Sequence, residues 1–117
     1  MPCYIRICGY PYVMNTTASD ELADIFKAAS EPVRVRILSL LAHGELCVCH
    51  LHSALEAPQP TVSRHLAILR QANLVRARRD GSWVHYALTD TAERWLAPAI
   101  ACWRADPTLS RPCAPCP

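Results

Sequence analysis

Cysteine is the residue type best able to do chemistry in this chain of 117 residues, which contains seven of them. They fall into small groups along the sequence: Cys3 and Cys8, Cys47 and Cys49, Cys102 alone, and Cys113 and Cys116. An odd number of cysteines cannot be paired completely within one chain. Clustered thiols are instead typical of soft-metal or metalloid ligation, or of redox sensing.

Arginine is concentrated in another part of the chain. Residues 59–88 contain five arginines and one acid, whereas residues 14–58 contain six acids and three bases. The net charge of the whole chain is only +2, so the asymmetry is local. A basic block beside an acidic half is typical of a protein that approaches a polyanion with one face, although a solvated basic surface is the simpler alternative.

A predicted helix over residues 60–72 suits entry into the major groove of DNA. Val62, Leu66 and Leu69 recur at helical spacing and are expected to face the core. The candidate DNA-contacting residues on and just before this helix are Gln59, Thr61, Ser63, Arg64, His65 and Arg70. Glutamine can pair with adenine edges, arginine with guanine or phosphate, and the hydroxyls with either. The candidates that follow, for phosphates or the minor groove, are Arg76, Arg78 and Arg79.

The Cys47–Cys49 pair is predicted to lie at the start of the preceding helix, over residues 45–55. In a regular helix, residues two apart point about 200° apart, so two such sulfurs cannot both hold one small ion. Binding both to one atom is therefore expected to distort that turn. Because this helix would pack against the DNA-reading one, ligand binding and DNA binding would compete for one local geometry.

Periodicity and capping residues predict the elements that position these groups. Helices are expected at residues 20–29, 32–43, 45–55 and 60–72, and strands at 74–79 and 83–88 around an Asp80–Gly81 turn. A last helix at 90–104 is expected to bend near Pro98. The first helix is expected to bury Leu22, Ile25, Phe26 and Ala29, and the last to offer Leu96, Ile100 and Trp103 to a dimer. This order predicts a mainly α winged helix-turn-helix fold with a β-hairpin wing.

The segments ELCVCHL and PQPTVSRHLAILRQANLVRARRDGSWVHYAL resemble the ArsR/SmtB family, in particular the arsenical-resistance operon repressors. The resemblance covers roughly residues 20–103. It implies a homodimeric repressor that leaves double-stranded operator DNA when a metal or metalloid binds. A cytoplasmic location is expected separately, because residues 1–12 lack the apolar region of a signal peptide. Dimer contacts would come from the first and last helices. Cys47 and Cys49 would be the inducer-binding pair, and Gln59, Ser63 and His65 would lie in the DNA-reading helix. The implied inducers are trivalent arsenic and antimony, with no cofactor required.

The third inducer ligand is left open by the sequence. The family usually has Asp where this chain has His50, and some arsenical repressors have a third Cys where it has His52. Arsenite prefers three thiolates, and an external thiol is one source of the third. The candidates within the chain are Cys102, Cys113, Cys116, Cys3 and Cys8. Both histidines suit a borderline metal better than arsenic, and they are interpreted as surface residues.

Two rival functions remain at this point. Cadmium- and lead-responsive members of the family combine an N-terminal cysteine pair with the same Cys-x-Cys, so Cys3, Cys8, Cys47 and Cys49 could form a four-thiolate site. A repressor switched by disulfide formation is the other. Residues 89–103 contain no His, which argues against the family's zinc site on the last helix.

Composition excludes several broader classes. No apolar run approaches the ~20 residues of a membrane span, so no membrane partner is expected. A thiol redox enzyme would lack a positioned general base and would leave the arginines unexplained, so the chain is not expected to be an enzyme. Three segments are predicted: residues 1–13 as an N-terminal extension that is either a real tail or untranslated, 14–104 as the DNA-binding and dimerisation domain, and 105–117 as a flexible Pro/Cys tail.

Overall fold

The structure is a computed structural model that describes residues 18–106. It is mainly helical and carries one small antiparallel sheet, as the sequence predicts. The elements are α1 (Ala18–Ala28), α2 (Pro32–Leu41), β1 (Leu46–Cys47), α3 (Val48–Leu55), α4 (Gln59–Gln71), β2 (Val75–Asp80), β3 (Trp83–Leu88), α5 (Asp90–Trp95) and α6 (Ala97–Ala105). The predicted segments 1–13 and 105–117 lie wholly or largely outside the described residues.

The core forms where α2, α3, α4 and the base of the sheet meet. Val62, Leu66 and Leu69 of α4 are fully buried, which confirms the predicted inward face of that helix. Ile25 of α1 is also buried, but Phe26 is 59% exposed, so its predicted place in the core is wrong. Phe26 follows Ile25 by about 100° around the helix, and the buried side of α1 continues through Ala28 instead.

The third helix begins later than predicted. Leu46 and Cys47 form β1, which pairs antiparallel with β3 and makes a sheet of order β1-β3-β2. Cys47 has the extended angles φ −82° and ψ 163° and is the N-cap of α3. Strand pairing at Leu46 and Cys47 therefore replaces the first turn of the predicted helix over 45–55.

The last helix is divided rather than bent. α5 ends at Trp95 and α6 begins at Ala97, with Leu96 between them at φ −111° and ψ 20°. Pro98 has no amide hydrogen, and its ring collides with the carbonyl four residues earlier in a continuous helix. Arg104 Nε then fixes α6 against the end of α2 by donating to the Ala42 carbonyl at 2.7 Å.

The β2–β3 hairpin is confirmed, with its turn displaced by one residue. Asp80 pairs with Trp83, so the two loop residues are Gly81 and Ser82 rather than Asp80 and Gly81. Gly81 has φ +64°, a left-handed angle that glycine adopts without steric cost. Within the described residues no helix is long and apolar enough to cross a bilayer.

Thr89 joins α5 to the end of α4, and its hydroxyl makes two hydrogen bonds. It accepts from the Ala92 amide at 3.1 Å and donates to the Asn73 carbonyl at 2.6 Å. We expect Thr89→Ala to lower the free energy of unfolding by about 1 kcal/mol, as loss of an N-cap does. Urea denaturation measures this change. Thr89→Ser keeps the hydroxyl and is the matched control, and equal losses in both variants would contradict the capping role.

Candidate metal centre and nucleic-acid interface

Three side chains that can bind metal meet where β1 passes into α3. Cys47 is buried, and Cys49 and His50 are half-buried in the first turn of α3. One ligand atom from each lies within 4.8 Å of the other two. Cys47 Sγ is 3.4 Å from His50 Nδ1. We name these three residues the Cys-His cluster.

The extended backbone at Cys47 makes this approach possible. The expectation that the two sulfurs point to opposite sides of a helix requires both residues to be helical, and Cys47 is not. The premise of the predicted helical distortion is therefore wrong at Cys47, and the short distances between the ligand atoms belong to the disulfide-bonded state. His50, interpreted as a surface residue from the sequence, is instead part of the cluster. Its i+3 spacing from Cys47 was the available signal.

The other candidate ligands are placed differently. Cys102 is a free, exposed thiol on α6 and does not join the Cys-His cluster. His52 lies half-buried later in α3 and is also outside it. The remaining candidates, Cys3, Cys8, Cys113 and Cys116, lie outside the described residues. Cys47 and Cys49 are themselves disulfide-bonded in the structure, so a metal or metalloid would require their reduction to thiolates.

A row of paired residues links the Cys-His cluster to the hairpin. Cys47 is opposite His85 in the β1–β3 ladder, and His85 is opposite Arg78 in the β3–β2 ladder. One cross-strand row thus runs from a candidate ligand to a candidate DNA-contacting arginine.

Glu45, which immediately precedes β1, adds a second link between that strand and Arg78 of β2. Its carboxylate accepts two hydrogen bonds from Arg78, at 2.7 Å from Nη2 and 3.1 Å from Nε. The hydrogen bond from Arg78 holds the pKa of Glu45 below its usual value, and the pKa of Arg78 is raised. Glu45 is charged at neutral pH in any case, and its lowered pKa means that the pair survives further acidification than an ordinary glutamate would allow. Sequence reasoning did not identify this partner of Arg78, because nothing in a linear pattern joins residues 33 positions apart.

The outer face of α4 carries the predicted base-reading side chains. Gln59, Ser63, Arg64 and Arg70 are exposed, whereas Thr61 is half-buried. His65 is also half-buried, and its Nδ1 lies 3.2 Å from Nη1 of Arg34 in α2. This contact makes His65 the least available of the predicted DNA-contacting residues.

The three arginines of β2, Arg76, Arg78 and Arg79, are all exposed. With the outer face of α4 they form what we call the basic surface. α3 packs against α4, and β1 pairs with β3. The Cys-His cluster is therefore joined to α4 by the packing of α3, and it is separated from the arginines of β2 by one strand, β3.

Comparison with known proteins identifies the family of this chain. Residues 31–77 match the family described as bacterial regulatory protein, arsR family. The arsenical resistance operon repressor of Escherichia coli (strain K12) is 44% identical over 84 residues, which are 70% of this chain and 72% of that protein. A cadmium resistance transcriptional regulatory protein of Staphylococcus aureus is 38% identical over 71 residues, which are 60% of this chain and 59% of that protein.

A solved structure gives the same fold. The homodimeric winged helix-turn-helix DNA-binding domain of a possible ArsR-family regulator from Mycobacterium bovis matches with a TM-score of 0.64 at 28% identity. The match covers 80% of this chain and 94% of that one. The matched proteins are DNA-binding transcriptional regulators, which confirms the expectation that this chain is not an enzyme. The chain belongs to the ArsR/SmtB family of winged helix-turn-helix transcriptional repressors.

Proposed function

We propose that the protein is the repressor of a metalloid-resistance operon and leaves its operator when arsenite or antimonite binds Cys47 and Cys49. The observation that carries this proposal is the position of the Cys-His cluster where β1 passes into α3, because α3 packs against the DNA-reading helix α4 and β1 pairs with the hairpin strand β3. The similarity to an arsenical resistance operon repressor supports the same inducer class. Residues 14–104 form the functional unit in this proposal, which places the repressor in the cytoplasm, where thiols are kept reduced.

Release from DNA has an energetic requirement that thiolates meet. To shift a repressor from almost fully bound to almost fully free, the inducer must favour the free form by about 5 kcal/mol. Thiolate bonds to a soft ion can provide such a difference, because they form at fixed lengths and angles. Bond formation at Cys47 is expected to move β1, and with it the row that ends at Arg78.

The basic surface supplies the contacts to DNA. Gln59, Thr61, Ser63 and Arg64 stand at the N-terminal end of α4, the end that reads base edges in helix-turn-helix proteins. Arg70 lies in the last turn of α4, where it can reach a phosphate. Arg76, Arg78 and Arg79 are placed for phosphates or the adjacent minor groove.

Homodimerisation would bring two α4 helices to a palindromic operator. Ile100 is only 2% exposed and belongs to the core of the protomer, so its predicted role in the dimer surface is wrong. Leu96 and Trp103 remain half-buried, and Phe26 of α1 is exposed. We therefore assign Phe26 to the dimer interface, in agreement with the family's use of its first and last helices.

We expect Phe26→Glu to convert the dimer into a monomer at micromolar concentration, because it places a charge in an apolar contact. Sedimentation equilibrium measures the change. Asp24→Lys, at an exposed position about 200° around α1 from Phe26, is the control and should remain dimeric. A wild-type protein that is monomeric under these conditions, or a dimeric Phe26→Glu variant, would contradict the assignment.

A redox switch is the second candidate function, favoured by the disulfide-bonded state of Cys47 and Cys49 in the structure. Fluorescence anisotropy with a duplex selected from a random library distinguishes the two. The reduced protein is titrated in parallel with arsenite, antimonite, cadmium and peroxide. Release by arsenite and antimonite supports the proposal. Release by peroxide alone supports the redox switch, and release by cadmium alone supports the cadmium-responsive alternative.

A further inference from the structure

We infer that His50 is the third ligand of the Cys47–Cys49 site and that the reduced site binds a thiophilic divalent cation, zinc or cadmium, through Cys47, Cys49 and His50. The inference rests on the proposed function, since it assumes that Cys47 and Cys49 form the inducer site. It assigns His50 as the residue that determines which inducers the site accepts.

The distance between the donor atoms fits a tetrahedral cation. Zinc binds cysteine sulfur at about 2.3 Å and histidine nitrogen at about 2.0–2.1 Å, so these two donors lie about 3.6 Å apart around one tetrahedral ion. Cys47 Sγ and His50 Nδ1 are 3.4 Å apart. This separation of sulfur and nitrogen already suits one ion, and reduction must first free the two sulfurs as thiolates.

The local backbone explains why His50 and not His52 reaches the site. Cys47 is the N-cap of α3, and His50 lies in the first helical turn, three residues later. Residues at i and i+3 share a side of a helix, and an N-cap side chain folds back toward the residue at this position. His52 is displaced by a further 200° around the helix, which points it away from Cys47.

The environment also favours a bound cation. Cys47 is 1% exposed, so its thiolate would lie in a poorly solvated place where a metal ion offsets the negative charge. Cys49 and His50 are half-buried, which leaves a path for the ion. Binding releases one proton from each of the two thiols to solvent and uses the neutral imidazole, with no oxidation or reduction. The fourth position of the tetrahedron is open to water or another thiolate.

The donor set also predicts selectivity. Imidazole is a good ligand for zinc and other borderline divalent cations, whereas soft ions prefer sulfur. Removing His50 should therefore lower the affinity for divalent cations much more than the affinity for arsenite. If His50 only supported the fold, removing it would lower both affinities by a similar factor.

The test uses the full-length reduced protein with cobalt(II) as a spectroscopic probe and cadmium and arsenite as competing ligands. We expect tetrahedral cobalt absorption with thiolate charge-transfer bands, and zinc X-ray absorption showing nitrogen as well as sulfur neighbours. His50→Ala should lower the affinity for cobalt and cadmium by about tenfold or more, since even outer-shell changes cost 10–100-fold. His52→Ala is the matched control and should stay within about twofold of the wild type.

The inference would be overturned if His50→Ala and His52→Ala lost cation affinity equally. It would also be overturned if His50→Ala lost affinity for cadmium and for arsenite by the same factor. Zinc X-ray absorption spectra of the wild type that lack the outer-shell scattering of an imidazole ring would overturn it as well, in a measurement that needs no variant. Anisotropy with the selected duplex separates this result from the proposed function. A cation that binds through His50 without releasing DNA leaves the ligand assignment standing and rejects induction by that cation.

Discussion

Cys47→Ser and Cys49→Ser are expected to bind operator DNA like the wild type and to be insensitive to arsenite. Serine is a poor ligand for a soft ion, so each variant loses one of the two bonds that the inducer needs. Neither residue belongs to the basic surface, so DNA affinity should remain within about twofold. The wild type should lose almost all of its DNA affinity in arsenite and the variants almost none. This difference corresponds to a coupling free energy of about 5 kcal/mol. Anisotropy titrations with and without arsenite measure both quantities.

Three controls accompany this prediction. Cys102→Ser alters an exposed thiol outside the Cys-His cluster and should respond normally. The double variant Cys113→Ser with Cys116→Ser, and removal of residues 1–13, should at most change sensitivity. A truncated protein that loses the cadmium response and keeps the arsenite response would assign the N-terminal cysteines to an accessory site. Loss of all responses on truncation, with a normal response in Cys49→Ser, would refute the arsenic assignment to α3.

The second large effect concerns the basic surface, where Arg64 and Arg78 should act differently. Arg64 is exposed on α4 and is free to meet a base edge. Arg64→Ala is therefore expected to lower the ratio of specific to non-specific affinity by about 1–3 kcal/mol. Arg78 is exposed but already bonded to Glu45, so a phosphate must compete with that carboxylate. Arg78→Ala should lower the affinity for all DNA sequences alike. It should reduce the slope of log affinity against log salt concentration by at most about one unit.

Glu45→Gln is the matched partner of Arg78→Ala, because it removes the competing carboxylate and keeps the arginine. It should strengthen binding to all sequences and leave the specificity ratio unchanged. Binding isotherms at several salt concentrations, on selected and scrambled duplexes, measure these effects. The docking described here is wrong if neither arginine variant changes affinity or its salt dependence.

Sequence reasoning succeeded where one residue pattern determines one element. The spacing of Val62, Leu66 and Leu69 identifies the buried face of α4, and apolar alternation around a Gly-containing turn identifies the hairpin. In both places local propensity and burial act in the same direction. This agreement is why the fold class could be predicted from the sequence.

It failed where tertiary contacts set the local conformation. Cys47 lies in a run that reads as helical, but pairing with β3 holds it extended. That pairing changes the chemistry of the site, because it leaves Cys47 outside the helix and beside His50. The Glu45–Arg78 pair was missed for a similar reason, since it depends on how β1 is placed beside the hairpin.

The central claim is that one inducer site and one DNA surface are thermodynamically coupled, and reciprocal binding tests it most directly. Arsenite affinity of the reduced protein is measured from thiolate absorbance, first alone and then saturated with the selected duplex. Thermodynamic linkage requires that bound DNA lower the affinity for arsenite by the same factor by which bound arsenite lowers the affinity for DNA. For the wild type we predict that both affinities fall by the large factor that corresponds to a coupling free energy of about 5 kcal/mol. Arsenite that binds Cys47 and Cys49 with the same affinity whether or not DNA is bound would contradict the account.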